Sequence, residues 1–302
     1  MDEKETWHFI RFGKLNQNKD SKKQVENSII QITSEKMLPF FACLWGELLL
    51  CLHFRLENLF MRVLIISDIH ANFTALESVL SDVGEIDSVW CLGDVVGYGP
   101  DPNECIESLR HLPNLTCVIG NHDAAVIETI ETEAFNHEAK KIIFWTQSAL
   151  TDASYQFLRQ LPQRVIIDQF TLVHGSPRHP VWEYLLDSQT AKDNFDYFKT
   201  DYCCVGHTHL PSFFYLDETD SQPRVSMITE GQSFQIAPRT ILNPGSVGQP
   251  RDRDPRAAYA ILDTETMRWE NHRVSYNVPI VQERMRLIGL PQRHIQRLAD
   301  GW

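Results

Sequence analysis

From residue 61 onward, short apolar runs alternate with segments in which apolar residues recur every three or four positions. Residues 62–66 read RVLII, a continuous apolar run that is typical of a strand buried on both faces. A helix is predicted next from four apolar positions at helical spacing: Phe73, Leu76, Val79 and Val83. A second helix is predicted over residues 102–112, with Asp101 as N-cap and Pro102 at its first position. The early part of the chain therefore alternates strand and helix.

The later part of the chain is rich in strands with short turns between them. Beyond the first strand, further strands are predicted at residues 87–93, 115–120, 164–168, 170–175, 202–207, 212–216, 240–243 and 257–263. An amphipathic helix is predicted around residues 135–149, and two short helices are predicted within residues 277–302. This mixture favours an α/β (α+β) fold, a four-layer αββα sandwich of two mixed β-sheets flanked by helices. We assign residues 61–302 to this domain.

Residues 1–60 are expected to form an extension outside the fold. The apolar run at residues 37–54 is of marginal length for a membrane span and contains Glu47, which costs about 3 kcal/mol on insertion scales. No stable membrane insertion is therefore expected. Met61 is expected to be the functional start, and the extension is expected to be either an upstream mis-start or a weak peripheral anchor.

Composition narrows the class of protein further. The 302 residues are 43% hydrophobic and 23% charged, which excludes a mostly disordered or multi-span membrane protein. Residues 1–60 contain eight acidic and eight basic side chains, so the remaining residues carry the whole net charge of −12. Such an acidic domain lacks the basic surface of a general nucleic-acid binder, and bulk nucleic acid is not an expected partner.

The seven cysteines form neither a C-x-x-C motif nor an even, regularly spaced set. This argues against a zinc knuckle and against a disulfide framework. Most lie in apolar, strand-like runs and are expected to be small buried hydrophobic residues. A reducing, cytoplasmic location is therefore expected.

Histidines, carboxylates and one asparagine collect directly after the predicted strands. The five segments are SDIH, LGD, IGNHD, LVHG and VGHTH, and they supply Asp68, His70, Asp94, Asn121, His122, His174, His207 and His209. Strand ends of an α/β sheet meet at one edge, so these side chains can converge although they are distant in sequence. Each segment alone is a weak signal, because it can be an ordinary turn. Five of them at successive strand ends predict one site.

The residue types in this set indicate which ligands it can bind. Imidazole and carboxylate donors without thiolate suit divalent Mn, Fe, Co, Ni or Zn. Two such ions about 3.5–4 Å apart can hold a phosphoryl group and lower the pKa of a bridging water. One carboxylate must then bridge the two ions, and Asp94, which is central in the order of segments, is expected to do so.

The motifs D-x-H, G-D, G-N-H-D, H-G and G-H-T-H resemble those of the calcineurin-like metallophosphoesterase superfamily, and most of all its small bacterial phosphodiesterase-like branch. The resemblance covers about residues 61–265. It implies hydrolysis of small phosphodiesters or phosphomonoesters by a metal-bridging hydroxide. It further implies a catalytic role for Asp94 and for His122, the latter as general acid or stabiliser. One metal would have as ligands Asp68, His70, Asp94 and His209, and the second would have Asp94, Asn121, His174 and His207.

One departure from the superfamily leaves the phosphate-binding residue open. Phosphoprotein phosphatases of the superfamily read G-D-x-V-D-R-G, whereas this chain has Gly97 and Tyr98 where their Asp and Arg would stand. Phosphoprotein phosphatase activity is therefore the less favoured alternative, and a catalytically silent binding scaffold on the same fold is another. The candidates for phosphate binding are Arg178, Arg251, Arg253 and Tyr98, and each is equally well interpreted as a solvated charge or a packed ring. Asn72 is interpreted as a helix cap or as a hydrogen-bonding group at the site. The sequence predicts no oligomeric state.

Overall fold

The computed structural model of the chain describes residues 61–302 apart from Glu218 and Ser221. The predicted extension at residues 1–60 lies outside the described residues, so its boundary stays a prediction. The strands are β1 Arg62–Ile66, β2 Ser88–Cys91, β3 Leu115–Cys117, β4 Arg164–Ile167, β5 Phe170–Val173, β6 Tyr202–Cys204, β7 Ser212–Tyr215, β8 Arg224–Met227, β9 Ser233–Gln235, β10 Thr240–Asn243, β11 Ala257–Asp263 and β12 Arg268–Val274. The helices are α1 Phe73–Asp82, α2 Pro102–Arg110, α3 Asn121–Val126, α4 His137–Ala149, α5 Asp152–Arg159, α6 Ser188–Asn194, α7 Val278–Leu287 and α8 Gln292–Asp300, with a 3₁₀ turn at Phe195–Tyr197.

The strands form two six-stranded mixed sheets. The first sheet has the order β3-β2-β1-β11-β12-β9, and the second has the order β4-β5-β6-β10-β7-β8. β1, β2 and β3 are parallel to one another, as are β5, β6 and β10, whereas β11 pairs antiparallel with β1. The predicted αββα architecture is confirmed.

The alternation of side chains along β1 shows why the fold has four layers. Val63 and Ile65 pack between the two sheets, where Leu172 of the second sheet also lies. Leu64 and Ile66 point the other way, into a core formed with the helices that cover the first sheet. The four residues on the two faces of β1 are all fully buried. A strand that is apolar at every position is therefore needed here, since both of its faces are covered.

Several elements were not predicted because they lack a continuous apolar run. β8 is an edge strand with mostly exposed residues, and β12 alternates buried Trp269 and Asn271 with partly exposed polar residues. The helix α2 begins at Pro102 as predicted, but the side chain of its N-cap, Asp101, does not cap it. That carboxylate instead accepts a hydrogen bond from Arg284 of α7 at 2.7 Å.

Candidate metal centre

The two triplets of parallel strands place all of the predicted site residues at one edge of the sandwich. Asp68 and His70 follow β1, Asp94 follows β2, and Asn121 and His122 follow β3 at the start of α3. His174 follows β5, and His207 and His209 follow β6. All eight side chains are less than 5% exposed. The structure therefore brings the eight residues into one buried group.

The first donor cluster consists of Asp68, His70 and His209. Nε2 of His70 lies 3.1 Å from Nε2 of His209, and Oδ1 of Asp68 lies 3.2 Å from the latter nitrogen. Oδ1 of Asp68 is buried and has no hydrogen-bond partner. One ligand atom from each residue lies within 4.8 Å of the others, a spacing that can hold a metal ion.

The second donor cluster consists of Asp94, His174 and His207, with Asn121 beside it. Nε2 of His174 lies 3.1 Å from Nδ1 of His207 and 3.1 Å from Oδ1 of Asn121. Oδ2 of Asp94 lies 3.4 Å from Nε2 of His174 and 3.6 Å from Nε2 of His70, which belongs to the first cluster. Asp94 thus lies within 3.6 Å of one histidine from each cluster.

Backbone carbonyl groups fix the orientation of the histidine rings in both clusters. Nδ1 of His174 lies 2.8 Å from the carbonyl oxygen of Leu92, and Nε2 of His207 lies 3.1 Å from that of Trp182. In the first cluster, Nδ1 of His70 contacts the carbonyl of Val96, and Nδ1 of His209 contacts the carbonyl of Gln249. Each of these nitrogens is then the donor, so the other nitrogen of each ring is directed into its cluster and can bind a cation once it is unprotonated. The donor set therefore fits divalent cations.

Burial and neighbouring charges together determine the pKa values of the buried acidic and basic groups. Burial raises the pKa of Asp68 to about 7, because the positive charge of His174 offsets only part of the loss of water and the charge of Asp94 adds to the shift. Burial lowers the pKa of His174, but the charge of Asp94 outweighs this effect and raises the pKa to about 9. In the protein alone, the proton on His174 supplies positive charge that cations would otherwise provide.

His122 differs from the predicted metal ligands in its surroundings. Its backbone N–H donates to Oδ1 of Asp94 at 2.9 Å, and its ring packs against Tyr98 with the centroids 4.4 Å apart. Nδ1 of His122 is buried without a hydrogen-bond partner, and burial lowers its pKa to about 4. The ring also lies close enough to His70 and Asp94 to form a third group of possible ligands. At neutral pH the ring is therefore a neutral imidazole at the border of both clusters.

The close approach of two loops requires glycine at two positions. A Cβ on Gly120 would lie 2.1 Å from Oδ1 of Asp94, and a Cβ on Gly206 would lie 1.9 Å from Oγ of Ser67. Both distances are far below van der Waals contact, so a side chain at either position would displace a carboxylate or its neighbour.

Asp123, the last residue of the IGNHD motif, is not among the predicted site residues, but its side chain connects two loops of the centre. It is fully buried and accepts hydrogen bonds from the backbone N–H groups of Val96 and Gly120, each at 3.0 Å. It thereby joins the loop that carries Asp94 to the start of α3.

Asn72 has both of the roles considered for it. Its Oδ1 caps α1 at Ala75, and its Nδ2 donates to the carbonyl of Gly248 in the loop after β10.

Comparison with known proteins identifies the family. The sequence profile of the calcineurin-like phosphoesterase superfamily domain matches residues 61–267. The chain belongs to this superfamily. This membership confirms the resemblance drawn from the motifs, and with it the prediction of a metal-dependent phosphoric ester hydrolase.

Three relatives illustrate how far the likeness extends. The crystal structure of a metallophosphoesterase from Sphaerobacter thermophilus is 47% identical in sequence, with a TM-score of 0.74, over 80% of this chain and 99% of that one. An uncharacterized protein from Methanocaldococcus jannaschii is 36% identical over 249 residues, which are 79% of this chain and 98% of that protein. A symmetrical bis(5'-nucleosyl)-tetraphosphatase from Serratia proteamaculans is 28% identical over 117 residues, which are 37% of this chain and only 41% of that enzyme.

Among the residues that the structure describes, no helix is long and apolar enough to cross a membrane. The apolar run at residues 37–54 lies outside them.

Proposed function

We propose that the chain is a two-metal-dependent phosphoesterase that hydrolyses small phosphodiesters or phosphomonoesters. The observation that carries this proposal is the position of Asp94, whose Oδ2 lies within 3.6 Å of one histidine from each cluster. A single carboxylate between two histidine-containing clusters is the arrangement that a pair of divalent ions requires.

We propose the division of residues between the two ions that the family resemblance implies. Asp68, His70 and His209 would hold the first ion, and Asn121, His174 and His207 the second, with Asp94 shared. Bound divalent cations, for which Mn, Ni, Co, Fe and Zn are candidates, would supply the hydroxide nucleophile and neutralise the charge of the phosphoryl group. The protein contributes the fixed ring orientations that the backbone carbonyls impose.

His122 is proposed to donate a hydrogen bond to the phosphoryl or leaving oxygen. Its ring is neutral at pH 7, since burial lowers the pKa to about 4, and a neutral imidazole carries one N–H donor. A bound phosphoester would add negative charge next to the ring and raise its pKa, which would favour transfer of a proton to the leaving group. Both roles require the ring to stay beside the cations without being held by them.

The alternatives are disfavoured by particular residues. A binding scaffold would not need a complete donor set, whereas all seven predicted ligands are present and buried in one group. Gly97 and Tyr98 leave the metal loop without the Asp and Arg of phosphoprotein phosphatases. A nucleotide substrate is included in the proposal, because one relative is a bis(5'-nucleosyl)-tetraphosphatase. We also propose a cytoplasmic location, because five of the seven cysteines are buried free thiols: Cys91, Cys105, Cys117, Cys203 and Cys204.

A substrate panel with defined metals tests the proposal. The protein is stripped with a chelator, reloaded separately with Mn, Ni, Co, Fe or Zn, and assayed on chromogenic diesters and monoesters and on a dinucleoside tetraphosphate. We expect metal-dependent hydrolysis of at least one class. His174→Gln should abolish it, whereas His111→Gln, at an exposed histidine of the same domain, should not. Absence of hydrolysis with every metal, although two ions are bound, would refute the enzyme and favour the scaffold.

A further inference from the structure

The loop after β2, residues 92–101, contains no cationic side chain for the phosphate of a substrate. Tyr98 stands where an arginine would be expected, and its ring is almost fully buried against His70, His122 and His294. Nor is there space for a side chain at position 97, because a Cβ on Gly97 would lie 2.6 Å from Nδ1 of His122. A cation for the substrate must therefore come from another loop.

Two of the three arginines considered from the sequence are otherwise engaged. Arg178 forms an ion pair with Glu183 and a second, at 3.5 Å, with Asp193. Arg253 is exposed, and its guanidinium lies 5.2 Å from the ring centroid of Trp302, which is itself at the surface. The charge of Arg178 is therefore compensated, and Arg253 lies against the C-terminal residues Gly301 and Trp302.

Arg251 is in a different situation. It lies in the loop after β10, which is parallel to β5 and β6 through the second sheet, so it emerges at the same edge as the candidate ligands. Its Nη2 donates to Oε1 of Gln249 at 3.0 Å, and the backbone carbonyl of Gln249 contacts Nδ1 of His209. The guanidinium carbon lies 6.0 Å from the ring centroid of Tyr98. Arg251 is therefore connected to His209 of the first cluster through Gln249, and its guanidinium lies near the ring of Tyr98, which packs against His122.

The charge of Arg251 is not compensated within the described part of the chain. The adjacent carboxylate, Asp252, pairs with Arg273 instead, and Nε of Arg251 is buried without a hydrogen-bond partner. A half-buried guanidinium with an unused donor is suited to an anion, and its planar donors match two oxygens of a phosphate.

We propose that Arg251 binds the phosphate oxygens of the substrate at this centre, in place of an arginine in the loop after β2. The inference rests on the proposed function and adds to it the residue that recognises the substrate. The ligand class is a phosphate group with at least two free oxygens, which the paired donors of the guanidinium can contact together.

The test measures binding of inorganic phosphate to the metal-loaded protein by calorimetry, with metal content determined by elemental analysis. Arg251→Gln is expected to weaken phosphate binding about 10- to 100-fold, the usual effect of losing hydrogen bonds to a charged group, without loss of metal. Arg251→Lys should give a smaller loss, because it keeps the charge but not the paired donors. Arg253→Gln, two residues further along the same loop, is the matched control and should change binding by less than about twofold.

Steady-state kinetics adds a second measurement. Arg251→Gln should raise KM for a monoester more than for a diester, since a diester offers fewer free oxygens. Equal phosphate affinity in Arg251→Gln and Arg253→Gln, or no phosphate binding by the unmodified protein, would overturn the proposal. If phosphate binding depends on Arg251 but no ester is hydrolysed with any metal, the proposed function fails and this inference stands.

Discussion

Replacing Asp94 by Asn tests whether one carboxylate serves both clusters. Oδ2 of Asp94 lies 3.4 Å from Nε2 of His174 and 3.6 Å from Nε2 of His70, so it faces one histidine of each cluster. Oδ1 accepts the backbone N–H of His122 at 2.9 Å, and the amide oxygen of Asn can keep that contact. The substitution therefore removes one negative charge and leaves the shape of the loop unchanged.

Asp68→Asn is the matched comparison, because Asp68 is equally buried and faces a single cluster. Its Oδ1 lies 3.2 Å from Nε2 of His209, and its Oδ2 accepts the backbone N–H of His207 at 3.1 Å. Both substitutions thus neutralise one buried carboxylate and preserve one backbone contact. Only the number of clusters that lose the charge differs.

The expected magnitudes follow from this difference. Removing a group that hydrogen-bonds to a metal ligand typically weakens metal binding about 10- to 100-fold. Removing the charge of the ligand itself should therefore weaken the binding of each ion that it contacts by about 100-fold or more. For Asp68→Asn this is about 3 kcal/mol at one ion, and for Asp94→Asn it is about that amount at both. After metal loading and desalting, Asp68→Asn should retain one ion and Asp94→Asn less than one.

The measurement is elemental analysis of the two variants side by side, with affinities from competition against a chelating dye. Activity should be lost in both, so activity alone does not separate them. Two tightly bound ions in Asp94→Asn, or equal metal loss in both variants, would refute the bridging position of Asp94.

Three further predictions follow from the same geometry. His122→Ala should keep its metal but lose about 10²–10⁴-fold in turnover, least for esters with acidic leaving groups; metal loss, or an equal loss for all leaving groups, would contradict a donor role. Metal binding should release protons and strengthen as pH rises from 6 to 9, because Asp68 and His174 must lose their protons before they bind a cation. Their pKa values in the protein alone are about 7 and 9. Calorimetry in buffers of different ionisation enthalpy measures the proton release, and a metal affinity that does not change with pH would contradict the prediction. A chain that begins at Met61 should bind two ions and match the turnover of the full chain, because residues 1–60 supply no motif residue; an inactive shortened chain would place part of the extension in the fold.

The candidate ligands could be predicted because five segments with His, Asp or Asn follow successive strands and the topology brings those strand ends together. His174 and His207, for example, are 33 positions apart, yet parallel β5 and β6 place Nε2 of the first 3.1 Å from Nδ1 of the second. The continuous apolar run of β1 similarly predicted a strand covered on both faces, since such a strand must be apolar throughout.

The groups that support the ligands could not be predicted, because most of them are backbone atoms. The carbonyl oxygens of Leu92 and Trp182 orient His174 and His207, and every residue has such an oxygen, so the sequence does not distinguish these two. The same limit applies to Arg251. Three arginines were equally plausible from their positions in loops, and only the partners of Arg178 and Arg253 in the folded chain distinguish them from Arg251.

The backbone of the centre runs against local preference, which explains why it depends on the whole fold. Five of the seven candidate ligands have left-handed backbone conformations although none is glycine: Asp68, His70, Asp94, His207 and His209. This conformation costs an ordinary residue about 1–2 kcal/mol, somewhat less for Asp and His, which adopt it more readily. The loops that contain these residues hold one another in place, since the N–H of Asp68 donates to the carbonyl of Gly93 at 3.0 Å and the N–H of His70 to that of Asp94 at 2.9 Å. An isolated loop would relax to a commoner conformation, so the donor geometry exists only where the two sheets bring the loops together.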